Sequence, residues 1–200
     1  MKTNKTHIQR LVVTAILAAI VIVLQIFVSI PIGSFTITLT LVPIMIGAIL
    51  LGPSCGAFLG GVFGITVSIQ VVTGAAGVLS FAMFEQKPVI TIAICLLKGI
   101  LAGLCSGWIF KLFEKLKKEK LGVILSAAAC PIVNTGIFVT ALFVFYYALM
   151  SQFAAETSFA GAAAFIFIGI VGLNFVVEFA INVLLIPVVL RVIHIVGSKF

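Results

Sequence analysis

The sequence predicts an all-α integral membrane protein: six transmembrane helices in a single domain over residues 1–200, with both termini cytoplasmic. Three observations carry this expectation. Of 200 residues, 63% are hydrophobic and only 8% charged, and the mean hydropathy is +1.41. A soluble chain of this size keeps too much surface in water to hide that much apolar side chain. The apolar residues also fall into six runs bounded by Gly, Pro or charge. Finally, the basic residues concentrate in three flanking segments: Lys2, Lys5 and Arg10; Lys111, Lys115, Lys117, Lys118 and Lys120; and Arg191 with Lys199. That distribution follows the positive-inside rule, so the net charge of +7 reports orientation in a bilayer and not a nucleic-acid partner.

Taken in order, the first helix is expected near 8–30. It resembles a signal peptide at its basic start. However, the apolar run over residues 11–30 is long enough to span, and "VSIPIGSF" lacks a small-x-small cleavage site, so it reads as a retained helix. The second helix, near 39–52, is too short for a perpendicular crossing of about 20 residues. It ends at "LGPSCG", where Gly52 and Pro53 stop one helix and start the next, near 54–72. A long outer loop, "TGAAGVLSFAMFEQK" over 73–87, precedes the fourth helix near 88–110. Such a loop in a compact membrane protein is more often functional than idle.

The lysine-rich 111–120 loop belongs on the cytoplasmic side. The fifth and sixth helices are expected near 121–149 and 161–190. The outer loops 31–38, 73–87 and 150–160 then hold a single basic residue, Lys87. Tyr146 and Tyr147 fall at the outer interface and Trp108 at the inner one, as aromatic belts do.

Small residues recur with helical spacing. Gly56, Gly60, Gly64 and Ser68 form a stripe that lets another helix approach closely, either within the chain or in a partner. "LLGPSCGAFLGG" and "LLKGILAGLCSGW" share a rhythm of small residues without forming an internal repeat. On the first helix, Ala15 and Ala19 are a briefer version of the same device.

Polar groups inside the apolar runs are the sharper signal. In "VGLNFVVEFAINVLLIP", Asn174, Glu178 and Asn182 stand four apart and share one helix face. Counting helical rise from the cytoplasmic ends, Lys98 and Glu178 lie about 18 Å deep and Asn134 about 20 Å. Pro131 has no N–H to give the carbonyl of Ala127, so "CPIVNTG" reads as a kinked helix offering backbone oxygen, Asn134 and Thr135 to a cavity. Two readings stand: Lys98 pairs with Glu178 as a structural ion pair braced by Asn174 and Asn182, or this level lines a ligand site.

Catalysis finds little support. His7 and His194 lie in or beside the tails, Glu178 is the only carboxylate within the expected spans, and no GxxxxGK[ST] is present. Cys55, Cys95, Cys105 and Cys130 lack CxxC spacing and read as small apolar side chains, with no metal and no cofactor implied.

As a set, six helices in about 200 residues, Ala15-x-x-x-Ala19, the short second helix running into "VPIMIGAILLGPSCGAFLGGVFG", and the long loop before the fourth helix resemble the substrate-binding (S) components of energy-coupling factor (ECF) vitamin transporters. The likeness covers essentially the whole chain. It implies a prokaryotic plasma-membrane subunit that binds a water-soluble vitamin from outside. ATP would be handled by two partner ATPases through a membrane coupling (T) subunit that meets Ala15 and Ala19. "CPIVNTGIF" together with Lys98 looks most like the pantothenate-type branch, with Lys98, Asn134, Thr135 and Asn174 as substrate-binding residues and Glu178 and Asn182 in support. The alternative is a stand-alone ion-coupled carrier or channel using Glu178.

Overall fold

The structure is a computed structural model that describes residues 2–28, 30–32, 35–37, 39–157 and 159–196. The described residues are helical apart from two short paired strands and the connecting turns. Helix α1 spans Lys2–Phe27 and ends earlier than expected. Pro31 drives the residue before it towards extended backbone, and the chain continues as two antiparallel strands, β1 (Ile30–Ile32) and β2 (Phe35–Ile37). Their register pairs Ile30 with Ile37 and Ile32 with Phe35. Where an outer loop is expected over 31–38, the described residues therefore form two paired strands, each too short at three residues to show an alternating pattern.

Helix α2 (Leu41–Leu51) and helix α3 (Pro53–Val72) meet at Gly52, whose φ of 101° is open to glycine. Pro53 then takes the first position of α3, where its missing N–H costs nothing. Thus "LGPSCG" breaks the chain where the sequence indicated. The expected 73–87 loop is largely helical. After a turn, residues Val78–Gln86 form helix α4, because Leu79 and Met83 are four apart and bury together.

Helix α5 (Pro88–Lys115) runs into the lysine segment, and α6 (Glu119–Phe145) continues through Pro131 as one helix. The chain breaks at Tyr146 and resumes as α7 (Tyr147–Glu156), so most of the expected 150–160 loop is helical. Tyr146 is not an interfacial anchor: it is 1% exposed and its hydroxyl lies 2.7 Å from that of Thr91. Tyr147 and Trp108 are exposed, as expected of belt residues.

The last span is divided. A single turn, α8 (Ala162–Ala164), leads into a π-helical segment (Phe165–Gly172), then α9 (Leu173–Leu184) and, past a break at Leu185, α10 (Ile186–Val196). Ile166, Ile170, Glu178 and Asn182 are buried and Asn174 is half-buried, all at intervals of four or eight residues. On a regular α-helix a four-residue repeat drifts by about 40° per step. The wider π turns counter that drift and keep the whole series facing inward.

Among the described residues, five helical stretches are long and apolar enough to cross a bilayer: Ile8–Phe27, Pro53–Val72, Pro88–Lys115, Glu119–Phe145 and Ala162–Leu184. The apolar Leu41–Leu51 has 11 residues, about 16 Å of helix, roughly half a bilayer core.

Helices α3 and α5 pack most intimately. A Cβ on Gly60 would sit 2.0 Å from the carbonyl oxygen of Gly99, and one on Gly103 2.0 Å from that of Gly56. Gly64 faces the Cys95 carbonyl, and Gly107 faces Pro53. The Gly56–Gly60–Gly64 stripe is thus an internal seam. The two segments that share a small-residue rhythm are the two sides of one contact.

Candidate functional site

The buried apolar residues form two separate cores. One joins α1, α2, α3, the middle of α5, the first half of α6 and α10, through residues such as Val21, Ile44, Leu59, Ala102, Cys130 and Val189. The other joins α4, the start of α5, the end of α6, α7 and the π segment, through Met83, Ile94, Leu142, Tyr146, Met150 and Phe165. The sequence-predicted polar residues occupy the interval between them. On α5, Lys98 stands midway between Ile94 of one core and Ala102 of the other, four residues from each and on their face. On α6, Asn134 stands likewise four residues from Cys130 and from Phe138.

The Lys98 ammonium lies 4.9 Å from the ring centroid of Phe138 and 5.7 Å from that of Phe63. Aromatic faces attract a cation through their quadrupole but leave its charge in place. The described contacts of the ammonium are to rings on α3 and α6. Glu178 is buried on α9.

Asn134 and Thr135 are buried, as are Glu178 and Asn182. The Asn182 amide donates to the backbone oxygen of Glu178 at 2.8 Å. The Oδ1 atoms of Asn134, Asn174 and Asn182 are buried and accept no hydrogen bond among the described residues. Each such acceptor costs about 1–3 kcal/mol until something donates to it. Helix α9, which carries two of them, packs against α6 and β2, so the hairpin backbone lies alongside the same layer.

Two polar clusters escaped the sequence reading. Gln25 of α1 donates to Gln70 of α3 at 2.8 Å and accepts from Thr40 at 3.0 Å, which ties the end of the hairpin segment to both helices. Thr91 of α5 donates to the carbonyls of Met83 and Lys87, both at 2.9 Å, and the Lys87 ammonium reaches the Phe145 carbonyl at 2.8 Å. The signal available for the first was a pair of glutamines near the same ends of apolar runs. Ala15 and Ala19 are exposed on α1, away from this layer. Among the described residues, no group of three His, Cys, Asp or Glu side chains could hold a metal ion.

The arrangement offers an ammonium that suits negative charge and asparagine oxygens that suit hydrogen-bond donors. Residues 9–190 match the family described as ECF transporter, substrate-specific component. The chain is 30% identical over 155 residues to the pantothenic acid transporter PanT of Lactococcus lactis subsp. cremoris, covering 72% of this chain and 76% of that one. Among solved structures, ThiT from Listeria monocytogenes superposes with a TM-score of 0.61 over 97% of each chain at 21% identity, a likeness of fold.

Proposed function

The chain belongs to the ECF transporter substrate-specific components, multi-pass membrane subunits of vitamin uptake, and on that premise we propose that it captures pantothenate. The observation that carries this reading is the half-buried Lys98 ammonium held by two aromatic rings between the apolar cores. A carboxylate partner on the protein would neutralise the ammonium, whereas rings leave it ready for a carboxylate on the ligand. Pantothenate has one carboxylate, two hydroxyls and an amide N–H. The carboxylate suits Lys98, and the donors suit the unsatisfied Oδ1 atoms of Asn134 and Asn174. Thr135 lines the same level of α6, while Glu178 and Asn182 brace α9 beneath Asn174. The Lactococcus relative that carries pantothenic acid in its name supports the choice of vitamin.

In this reading the protein sits in a prokaryotic plasma membrane, takes its vitamin from outside, and keeps its lysine-rich tip in the cytoplasm. It hydrolyses nothing itself. A membrane coupling subunit docks on the exposed Ala15–Ala19 face of α1, and two ATPase subunits drive release. The test is calorimetric titration of the purified chain with pantothenate and with the uncharged alcohol pantothenol. Wild type prefers the acid. Lys98→Met lowers affinity for the acid by about a hundredfold, as loss of a desolvated charge-assisted contact does, and leaves the alcohol nearly unaffected. Equal loss for both ligands, or no binding of the acid to wild type, would overturn the assignment.

A further inference from the structure

The tip between α5 and α6 carries chemistry that solute binding does not use. Lys115, Lys117, Lys118 and Lys120 are all exposed there, beside only two acids, Glu114 and Glu119. Lys111 has a separate place: a Cβ on Gly52 would lie 3.7 Å from its Nζ, so it rests against the end of α2. The positive-inside rule accounts for how many lysines face this side. It does not account for where one of them stands.

Helix α5 closes with two backbone bonds, Lys118 N–H to the Phe113 carbonyl and Lys117 N–H to the Glu114 carbonyl, both at 2.9 Å. That paired closure puts the residue after the helix in the left-handed region, a position glycine normally takes. Here it is Lys117, whose φ of 55° makes it the only non-glycine residue with positive φ among those described. Glycine would make the same two bonds without the Cβ strain. What the lysine adds to the turn is its charge.

Beside the lysines runs an apolar stripe. Trp108, Leu112 and Leu116 recur every four residues and are 59%, 57% and 57% exposed. They continue the side of α5 that carries exposed Leu97 and half-buried Leu101 and Leu104, within a helix long enough to cross the bilayer. Tryptophan favours the headgroup boundary, so the stripe extends from the acyl region to the depth where phosphates lie, with ammonium groups next to it. An acidic protein surface would match the lysines but leave the bilayer-continuous stripe unexplained.

We propose that this tip is a binding site for an anionic phospholipid. Lys115, Lys117, Lys118 and Lys120 hold the phosphodiester, and the acyl chain lies along Trp108, Leu112 and Leu116. The site is independent of which solute the chain carries.

The experiment uses the full chain in nanodiscs of mixed phosphatidylcholine and phosphatidylglycerol, with retained lipid counted by native mass spectrometry. Phosphatidylglycerol is retained preferentially, by about fivefold for each lysine engaged, and the preference shrinks as salt shortens the screening length. The combined variant Lys117→Gln, Lys118→Gln and Lys120→Gln cuts it by about a hundredfold, to the roughly fivefold that Lys115 retains. The charge-matched control Lys2→Gln, Lys5→Gln and Arg10→Gln does not. The single variant Lys117→Gly gives opposite signs in two readouts: a higher melting temperature and about a fivefold weaker preference. Undiminished preference in the triple variant, equal loss in the control, or an unchanged preference in Lys117→Gly would overturn the proposal.

Discussion

Two helix contacts in this bundle are built on opposite principles. Between α3 and α5, glycines bring backbone against backbone, with no space for even a methyl group at Gly60 or Gly103. On α6 and α9, asparagines leave buried acceptors without donors among the described residues. The first contact gives up side chains for proximity, as small-residue interfaces in membranes do. The second retains hydrogen-bonding capacity that folding alone would satisfy or omit. One contact fixes the frame, and the other is left open to a guest.

The largest effect expected from challenging this contrast is at the seam. Gly60→Val places a branched side chain against the Gly99 backbone, and since backbone cannot swing aside, the cost exceeds about 3 kcal/mol. Fluorescence-detected size exclusion should show aggregated protein; a monodisperse, wild-type peak would mean that the seam is looser than described.

At the other contact, Asn134→Leu should separate stability from binding. Pantothenate affinity falls by about tenfold to a hundredfold, while the melting temperature holds or rises because a buried unsatisfied acceptor is gone. A drop in both would assign Asn134 to the frame.

Ala15→Trp tests the same small-residue spacing on an exposed face. Stability and pantothenate affinity stay at wild-type values, and co-purification with the coupling subunit is lost. Loss of vitamin binding here would make the alanine pair internal.

Smallest of all is Gly136→Ala on α6, where an added Cβ meets nothing within 4 Å. The melting temperature should rise slightly, by the equivalent of at most about 1 kcal/mol. A decrease would reveal a neighbour at that position.

The difference between these contacts also explains what could be read in advance. Gly56, Gly60 and Gly64 announced a close approach because small residues at helical spacing have one physical use, but the identity of the facing helix is a tertiary matter. Lys98, Asn134, Asn174, Glu178 and Asn182 were legible because polar groups stand out in an apolar chain, and helical rise alone brought Lys98, Asn134 and Glu178 to similar depth, with Asn174 and Asn182 one turn to either side of Glu178. Their mutual contacts were not legible. Depth says nothing of azimuth, and Lys98 turned towards Phe63 and Phe138, two of eighteen phenylalanines with no mark to distinguish them. The hairpin, α4 and the break at Tyr146 were missed for a related reason. Each is a few residues long, and its conformation is decided by what it packs against.

The π segment from Phe165 to Gly172 has one more implication. Its hydrogen bonds enclose five residues where an α-helix encloses four, so it stores slack in an otherwise taut span. Deleting one residue there can be absorbed by a return to ordinary α turns, with α9 still presenting the same side to α6. The same deletion inside α9 has no reserve to draw on. It would turn the residues beyond it by about 100°, bringing Phe179 or Val183 to the wall where Glu178 or Asn182 now stands. The slack in this one segment therefore protects what the last helix offers to a solute against a change in length.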